Sequence, residues 1–474
     1  MKSLASLALA VGLLAAPAYG INLHKRTDSP ARVVGFPIQR KHIQDPVSRD
    51  QLRRRAETVQ VPLDNEETLY FANGTLGTPA QAFRLHLDTG SSDLWVNTPS
   101  SALCTSKGSP CAISGTYVAN SSSTYQYISS DFNITYVDGS GSSGDYASDT
   151  FTIGGTTISQ LQFGIGYEST SEEGILGIGY QINEVQAGRL GKAVYNNLPA
   201  ALVADSKIKS NAYSLWLNDL SASTGSILFG GVDTDQYHGT LETLPVQTES
   251  GQYAEFLITL TALALGSTVI ANGQALAVLL DSGSSLTYLP DTMVSSVYEQ
   301  TAAVYNSDQG AAYVPCSLAT NDTTLDFTFT SVTISVTMNE LIIPYSSGPF
   351  PDGTPACLFG LAPAGSGTSV LGDTFLRSAY VVYDLDNNEI SLAQTNFNAT
   401  SSNVVEIGTG SSAVPDASAV ANPATATEGA GSGQIEGPLV VGSSTSSSAA
   451  ERTPPPAVLG AMAAVGAGIV YAAM

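Results

Sequence analysis

The chain has 474 residues, of which 43% are hydrophobic and 12% charged, and its formal net charge is -23 at pH 7. An acidic chain repels phosphate backbones, so this charge argues against the nucleic-acid-binding classes that use a basic surface. The length exceeds what a single hydrophobic core usually organises, which predicts more than one folded lobe.

Residues 1–20 have the three parts of a secretory signal. Lys2 precedes the apolar run LASLALAVGLLAA, and the small residues Ala16-Pro17-Ala18 follow it. The pattern predicts a leader that is cleaved after Ala18 or Gly20, and therefore a secreted protein. A core helix is the alternative interpretation, but the segment has no amphipathic face.

Residues 21–55 form a basic segment ahead of an acidic body. Through Arg55 the chain holds ten of its 18 Lys and Arg but only three of its 41 Asp and Glu, so residues 1–55 are net +7 and the remainder is net -30. This contrast predicts a propeptide that is held electrostatically on the body. Arg53-Arg54-Arg55 is typical of a site for a kexin-like processing protease, and Lys25-Arg26 is a second option.

The stretch HLDTGSSDLWV, residues 86–96, places Asp88 at the end of a strand. Phe83, Leu85 and Leu87 alternate with polar residues, which indicates a strand with one buried face. A lone aspartate followed by Thr-Gly-Ser is also explained as a turn in which the carboxylate bonds its own backbone. A functional interpretation therefore requires a second carboxylate.

The second carboxylate comes from a repeat of the same pattern. AVLLDSGSSLTYLP leads an apolar strand into Asp281, and Leu-Gly pairs ending at Gly177 and Gly372 follow the two aspartates at offsets of 89 and 91. The repeat predicts two structurally similar halves. Each Leu-Gly pair predicts a strand that passes too close to another backbone for a side chain to fit.

Two facing carboxylates cannot both ionise cheaply, so they share one proton and titrate with two separated apparent pKa values. The ionised member can take a proton from a water molecule, and the protonated member can polarise a carbonyl oxygen. The paired motifs therefore predict direct hydrolysis by water, with no cofactor and no metal.

Other hydrolytic sites find little support in the sequence. His24 and His42 lie in the predicted propeptide, which leaves His86 and His238, and no G-x-S-x-G stretch occurs. His86 alternates with leucines on a strand and is interpreted as structural. No His and Cys residues have zinc-site spacing.

With these motifs the chain resembles the pepsin-family (A1) aspartic endopeptidases, close to the fungal yapsin and candidapepsin-like groups, over roughly residues 60–398. The resemblance implies a mostly β, bilobal fold with an active-site cleft between an N-terminal lobe, 56–245, and a C-terminal lobe, 246–398. Frequent short strands with Gly, Asn and Ser turns agree with it, and TMVSSVYEQTAAVY is a candidate helix. Asp88 and Asp281 match the catalytic pair.

The resemblance also implies roles for the residues that follow each aspartate. The backbone amides of Gly90 and Gly283 would hold the two carboxylates coplanar. The hydroxyls of Ser91 and Ser284 would bond the outer carboxylate oxygens. The hydroxyls of Thr89 and Ser282 would reach the opposite lobe. Ser282 stands where the family more often has Thr. It keeps the hydroxyl that the role requires and loses only the methyl packing.

The stretch ITYVDGSGSSGDY resembles the flap hairpin of the family. Tyr136 matches the flap tyrosine, and Trp95 matches the residue whose indole bonds its hydroxyl. The Gly-rich turn could bend over a bound peptide. Asp138 and Ser140 would add polar groups near the bond to be cut.

Cysteines and glycosylation motifs agree with an oxidising, extracellular setting. The four cysteines allow three pairings, and locality together with the resemblance favours Cys104 with Cys111 and Cys316 with Cys357. Five N-x-[ST] motifs predict a glycoprotein; their acceptors are Asn73, Asn120, Asn133, Asn321 and Asn398. A glycan on Asn133 would lie near the flap.

The C-terminal part changes composition twice. Residues 399–456 are rich in Ser, Thr, Ala, Gly and Pro, which predicts a disordered stalk, and residues 457–474 form an uncharged apolar tail. Small residues before a spacer and such a tail predict a glycosylphosphatidylinositol (GPI) attachment signal; the candidate attachment residues are Ser443, Ser444, Ser446, Ser447 and Ser448. A retained transmembrane helix is the alternative.

Together these features predict a monomeric, cell-surface aspartic endopeptidase with an acidic pH optimum that acts on proteins or peptides. Its own propeptide would inhibit it, and the resemblance implies that Lys41 or Arg40 is the cation placed against the acidic cleft. The yapsin resemblance and Asp138 favour cleavage beside Lys or Arg; Lys107 in TSKGSP counts against this, and broad apolar cleavage is the alternative. A silent pepsin-like binding protein and a structural wall glycoprotein are the rival interpretations, against which the intact motifs and the processing site argue.

Overall fold

The computed structural model describes residues 31–41, 69–136, 140–307, 309–344 and 348–426. All of them belong to the first of two compact units, Met1–Leu439. The predicted signal, the arginine processing site, Asp138, the candidate GPI residues and the apolar tail lie outside the described residues. Of Lys41 the backbone alone is described.

Strands dominate the regular structure, as the short apolar runs between turn residues predict. The first twelve strands are β1 (Val34–Lys41), β2 (Leu69–Leu76), β3 (Gln81–Asp88), β4 (Leu94–Asn97), β5 (Gln126–Thr135), β6 (Gly141–Ile153), β7 (Thr156–Ser169), β8 (Gly174–Gly177), β9 (Ala212–Trp216), β10 (Thr224–Phe229), β11 (Gly231–Asp233) and β12 (Tyr237–Pro245). The following strands are β13 (Leu257–Leu265), β14 (Thr268–Leu280), β15 (Thr287–Leu289), β16 (Val304–Asn306), β17 (Ala311–Pro315), β18 (Thr324–Phe329), β19 (Val332–Thr337), β20 (Ile342–Ile343), β21 (Ala356–Phe359), β22 (Leu361–Pro363), β23 (Ser369–Leu371), β24 (Ala379–Asp384), β25 (Glu389–Thr395), β26 (Val404–Glu406) and β27 (Ala417–Ala419).

Helices are short and connect strands. They are α1 (Val185–Gly188), α2 (Leu198–Ala204), α3 (Asp291–Thr301), α4 (Met338–Leu341) and α5 (Asp373–Leu376), with 3-10 turns at Pro110–Ala112, Ala119–Ser121, Gln181–Asn183 and Cys316–Thr320. The predicted helix in TMVSSVYEQTAAVY is confirmed as α3, which ends where Ala302 adopts a left-handed conformation with φ 53. Within the described residues, no helix is long and apolar enough to cross a bilayer.

The strands form two similar β lobes, so the predicted mostly β, bilobal fold is confirmed. A 14-stranded sheet has the order β27-β12-β25-β24-β9-β10-β1-β2-β3-β8-β4-β7-β6-β5. It brings β24 and β25, from the second half of the chain, beside strands of the first half. Second-half strands also form a seven-stranded sheet, β19-β18-β13-β14-β23-β15-β22, and a four-stranded sheet, β16-β17-β21-β20; β11 and β26 form a two-stranded sheet.

The two aspartates end equivalent strands, as the sequence repeat predicts. In the first lobe β3 runs parallel to β8, with Asp88 opposite Gly177, and β8 runs antiparallel to β4. In the second lobe β14 runs parallel to β23, with Leu280 opposite Leu371, and β23 runs antiparallel to β15. Each aspartate therefore leaves a buried strand beside a partner that ends at a Leu-Gly pair.

Strand β1 lies within the predicted propeptide and is an internal strand of the large sheet. It pairs with β10 on one side and with β2 on the other. Val34, Phe36 and Ile38 are buried while the residues between them are exposed, which is the alternation of a half-buried strand. The charge of this segment is evident from the sequence, but the strand in VGFPIQRK was not predicted.

Residues 399–426 pack on the body, so the predicted disordered stalk is wrong for this part of the chain. Strand β26 pairs antiparallel with β11, and β27 pairs parallel with β12. Ile407 is fully buried, and Val414 and Val420 are also buried. The averaged composition concealed these few apolar side chains, because they are spaced among small and polar residues.

Both disulfides have the favoured pairing. Cys104 bonds to Cys111 across a separation of 7 residues, and Cys316 bonds to Cys357 across 41 residues. The second bridge ties the 3-10 turn after β17 to β21. Each lobe therefore has its own covalent link.

A chain that ends at residue 398 is expected to be less stable than one that ends at residue 426. Losing the burial of Ile407, Val414 and Val420 should lower the free energy of unfolding by on the order of 5 kcal/mol. Denaturant unfolding of the two chains, both with Asp88→Asn to prevent self-digestion, measures the difference. Equal stability of the two chains would contradict the packing described for this segment.

Candidate active site

Two matching turns each hold one carboxylate by a backbone amide and a hydroxyl. Oδ1 of Asp88 accepts from the Gly90 amide at 2.9 Å, and Oδ2 accepts from the Ser91 hydroxyl at 2.6 Å. Oδ1 of Asp281 accepts from the Gly283 amide at 2.7 Å, and Oδ2 accepts from Ser284 at 2.7 Å. Such charge-assisted bonds fix the plane of each carboxylate.

Hydroxyls from the two turns cross between the lobes. The Thr89 hydroxyl donates to the Leu280 carbonyl at 2.9 Å, and the Ser282 hydroxyl donates to the Leu87 carbonyl at 3.0 Å. Each hydroxyl also accepts from the opposite backbone amide, that of Ser282 at 2.9 Å and that of Thr89 at 3.2 Å. Because Ser282 makes these bonds through its hydroxyl alone, the missing methyl of threonine removes none of them.

Gly90 shows how closely the turns approach each other. A Cβ atom added there would lie 2.7 Å from Oδ1 of Asp281. The two carboxylates are also buried, since Asp88 is 1% and Asp281 3% exposed. The fold thus brings together two buried carboxyl groups from sequence positions in different halves of the chain.

The Leu-Gly pairs pack against the backbone of the two aspartate turns. A Cβ on Gly177 would be 2.7 Å from the Ser92 and Asp93 amides, and a Cβ on Gly372 would be 2.3 Å from the Ser284 and Leu286 carbonyls. The close backbone approach predicted from the sequence is confirmed at both sites.

The segment predicted to be the flap contacts β4 through an aromatic hydrogen bond. The Trp95 indole donates to the Tyr136 hydroxyl at 2.8 Å, and both side chains are buried. Tyr136 follows β5, and its amide donates to the Ser140 carbonyl at 2.8 Å, which closes the hairpin to β6. The structure therefore places Trp95, Tyr136 and Ser140 together.

Asp93 organises a buried polar network that the sequence analysis missed. Its Oδ1 accepts from the hydroxyls of Tyr146 at 2.7 Å and Tyr195 at 2.9 Å, and its Oδ2 accepts from the Val185 amide at 2.8 Å. Burial raises the pKa of Asp93. The signal available in the sequence was an acid inside the otherwise uncharged run SSDLWV.

Glu184 is a second buried acid beside this network. It is 0% exposed, and its Oε2 accepts from the Tyr195 amide at 2.8 Å. Burial raises the pKa of Glu184 to about 9, and the nearby Asp93 charge adds to the increase. The folded state therefore favours the neutral form of Glu184.

Arg40, one of the two candidate propeptide cations, is half-buried at the end of β1. Burial lowers its pKa, and the groups that act on its charge are Tyr70, Arg377, Asp373 and Glu340. Arg377 and Glu340 form a fully buried ion pair, with Nε 2.5 Å from Oε2. Arg40 thus points toward a buried charged cluster of the second lobe.

His86, interpreted as structural, is buried on β3, and its ring centroid lies 5.7 Å from that of Phe71. Among the described residues, no three His, Cys, Asp or Glu side chains are grouped so that they could hold a metal ion. Asn73, Asn120, Asn321 and Asn398 are exposed and Asn133 is half-buried.

Two buried carboxyl groups on matching turns, brought together from two similar β lobes, define a hydrolase that uses paired acids. A family model described as eukaryotic aspartyl protease matches residues 69–395, and the chain belongs to this family.

Relatives share most of the length of the chain. A probable aspartic-type endopeptidase opsB of Aspergillus oryzae is 57% identical over 88% of this chain and 87% of its own. Candidapepsin-1 of Candida albicans is 38% identical over 73% of this chain and 86% of its own. The solved structure of an aspartic proteinase from Irpex lacteus is 23% identical, covers 78% of this chain and 100% of its own, and superposes with a TM-score of 0.59, which shows the fold. The protein is an aspartic-type endopeptidase.

The stability of the folded protein is expected to fall as the pH rises from 4.5, the ordinary pKa of a glutamate, toward 9. Over this range the unfolded chain releases the Glu184 proton while the folded chain retains it. The contribution is about 1.4 kcal/mol of unfolding free energy per pH unit. Denaturant unfolding at several pH values measures this slope.

Glu184→Gln cannot titrate and should remove this part of the slope. Glu299→Gln, which changes an exposed glutamate on α3, is the matched control and should leave the slope unchanged. Both are best made with Asp88→Asn. A slope that is the same in Glu184→Gln and the parent would contradict the proposed neutral state of Glu184.

Proposed function

We propose that the protein is a secreted, cell-surface endopeptidase in which Asp88 and Asp281 activate water between them. The observation that carries this proposal is the pair of hydroxyl bonds that cross between the lobes, Thr89 to Leu280 and Ser282 to Leu87. They lock the two carboxylate turns against each other, and a shared-proton pair requires this fixed geometry.

The proposed reaction begins with one proton on the pair. The ionised carboxylate takes a proton from water as the water oxygen attacks the peptide carbonyl carbon, and the protonated carboxyl group donates its proton to the carbonyl oxygen. The resulting gem-diol collapses when the newly protonated carboxyl group donates its proton to the leaving nitrogen, one gem-diol hydroxyl gives its proton to the other carboxylate, and the C–N bond breaks. The pair therefore ends the cycle with the one proton it had at the start.

Acidic conditions should favour this enzyme for three reasons. The pair must retain one proton, and the chain beyond Arg55 carries a net charge of -30 whose self-repulsion falls as carboxylates are protonated. The buried acids Asp93 and Glu184 add a third reason, because burial raises the pKa of both and the folded state therefore favours their protonated forms.

The proposed activation step removes a segment that is built into the sheet. We assign residues 21–55 as the propeptide, processed after Arg55 by a kexin-like protease. Its strand β1 contributes Phe36 and Ile38 to the core, and it ends at Lys41, which pairs with Leu69 at the start of the body. A basic residue at this position is suited to inhibition of an acidic cleft, and Lys41 is the assigned inhibitory cation.

The proposed location is the cell surface, through a GPI lipid attached among Ser443–Ser448. The predicted leader, two disulfides and exposed sequons support secretion. Of the sequons, Asn398 is the least suited to a glycan, because its Nδ2 donates to the Asp219 carboxylate. We assign the enzyme as a monomer.

For substrate preference we propose basic residues beside the scissile bond. The support is the strongly acidic body, which attracts cationic peptides to the cleft. Broad cleavage at large apolar residues is the competing preference.

The dyad is tested with the processed chain ending at residue 426 and denatured protein as substrate. Asp88→Asn and Asp281→Asn should each lower kcat by at least about a thousandfold, because neither variant can share the proton. Activity of the parent should rise from pH 7 toward pH 3. A folded, processed parent that cleaves nothing at any pH would instead favour a silent pepsin-like binding protein.

The preference is tested with peptides that differ only in the residue before the scissile bond. Lys and Arg peptides should give the highest kcat/KM, by about tenfold over Leu and Phe, and the difference should shrink at high salt because it is electrostatic. Mass spectrometry locates the cut bond in each peptide. Equal rates for basic and apolar peptides would remove the basic preference and leave the endopeptidase assignment intact.

A further inference from the structure

We propose that Arg189 is a positioning residue that holds the base of the flap at a fixed place relative to the catalytic turn. The proposal rests on the proposed function, because it concerns how the same site closes over its substrate. The evidence for it is the set of contacts that Arg189 makes, together with a closed circuit of hydrogen bonds that joins the catalytic turn, α1, Arg189, the base of the flap and Trp95.

Arg189 donates two hydrogen bonds to the strand that leads into the flap. Its Nη1 donates to the carbonyl of Asn133 at 3.3 Å, and its Nη2 donates to the carbonyl of Thr135 at 2.6 Å. Thr135 is the last residue of β5 and directly precedes Tyr136. Because a guanidinium is a rigid planar fork, two bonds to alternate carbonyls fix the position and direction of the strand together.

The position of β5 in the fold explains why a side chain must do this. Among the described strands, β5 is at the edge of the 14-stranded sheet and pairs with β6 alone, with Thr135 opposite Gly141. The outward carbonyls of an edge strand have no neighbouring strand whose amides donate to them. Arg189 takes the place of a neighbouring strand at the base of the hairpin.

The segment that carries Arg189 is itself anchored to the catalytic turn. Arg189 is the C-terminal cap of the four-residue helix α1, whose first residue, Val185, donates its amide to Oδ2 of Asp93. Asp93 is two residues from Ser91, which bonds the Asp88 carboxylate, and two residues from Trp95, which bonds Tyr136. The circuit therefore runs from the turn through α1 and Arg189 to the flap, and back through Trp95.

A small cavity lies inside this circuit. Its volume is about 30 Å³, and its lining includes Ser91, Tyr136, Glu184 and Arg189. If the flap base moved away from α1, this cavity would widen next to Ser91, which bonds Asp88. The contacts of Arg189 thus link the flap to the order of the catalytic turn.

Losing these contacts should slow the reaction with little loss of folding stability. Arg189→Met keeps the apolar stem and removes both donors, and we expect its kcat/KM to fall by about tenfold with the larger part of the change in kcat. Arg189→Lys restores one donor and should recover part of the activity. Hydrogen exchange of the amides between residues 130 and 144 should accelerate in Arg189→Met.

Lys192→Met is the matched control. Lys192 also contacts β5, through the side chain of Asp131, but this pair is 47% and 32% exposed and lies farther from Tyr136 in the strand. An exposed ion pair of this kind contributes little. The control should keep kcat/KM within about twofold of the parent and leave the exchange of the flap unchanged.

Three results would overturn the proposal. The first is an Arg189→Met enzyme with parental kcat/KM and flap exchange. The second is an equal loss in Lys192→Met, which would indicate a general effect of surface charge. The third is lost activity with a lowered Tm but unchanged flap exchange, which would indicate a purely structural role. If the parent itself cleaves nothing, the proposed function fails, and the exchange measurement still tests the Arg189 contacts.

Discussion

The reciprocal hydrogen bonds between Thr89 and Ser282 are the constraint on which the site depends. Each hydroxyl spans the boundary between the lobes and bonds the backbone on the other side. Neither lobe can shift without breaking bonds to both turns, so the carboxylates of Asp88 and Asp281 keep one mutual geometry. The bonds are buried, where an unsatisfied hydroxyl or amide would be costly, and this makes the arrangement nearly all-or-none.

The two lobes repeat the same turn but support it differently. Five residues after the first aspartate the chain has Asp93, and five residues after the second it has Leu286. The described flap segment belongs to the first lobe, where Asp93 receives hydroxyls from the strand after the flap and from Tyr195, and the amide of α1. In the second lobe the corresponding position is apolar and buried. The asymmetry places the polar framework on the side of the molecule that carries the flap.

The segment just before β1 and the end of β26 are in contact. The Arg32 amide, just before β1, donates to Oε1 of Glu406 at 3.0 Å, and Lys209 contacts Oε2 of the same glutamate at 2.7 Å. Glu406 ends β26, in the segment that was predicted to be a stalk. The C-terminal segment therefore contacts both the body and the beginning of the strand assigned to the propeptide.

The sequence by itself determined the two-lobed plan and the two acid turns, because these features depend on local patterns and on a repeat that can be read along the chain. It favoured the disulfide pairs that the structure shows, without excluding the other pairings. Only the tertiary structure decided what surrounds them. The hydrogen bonds of Arg189 to β5 join positions that are distant in sequence. The same is true of the buried acids Asp93 and Glu184. Likewise, whether β1 and residues 399–426 are ordered depends on grooves and sheet edges formed by other strands, and no local composition specifies such partners.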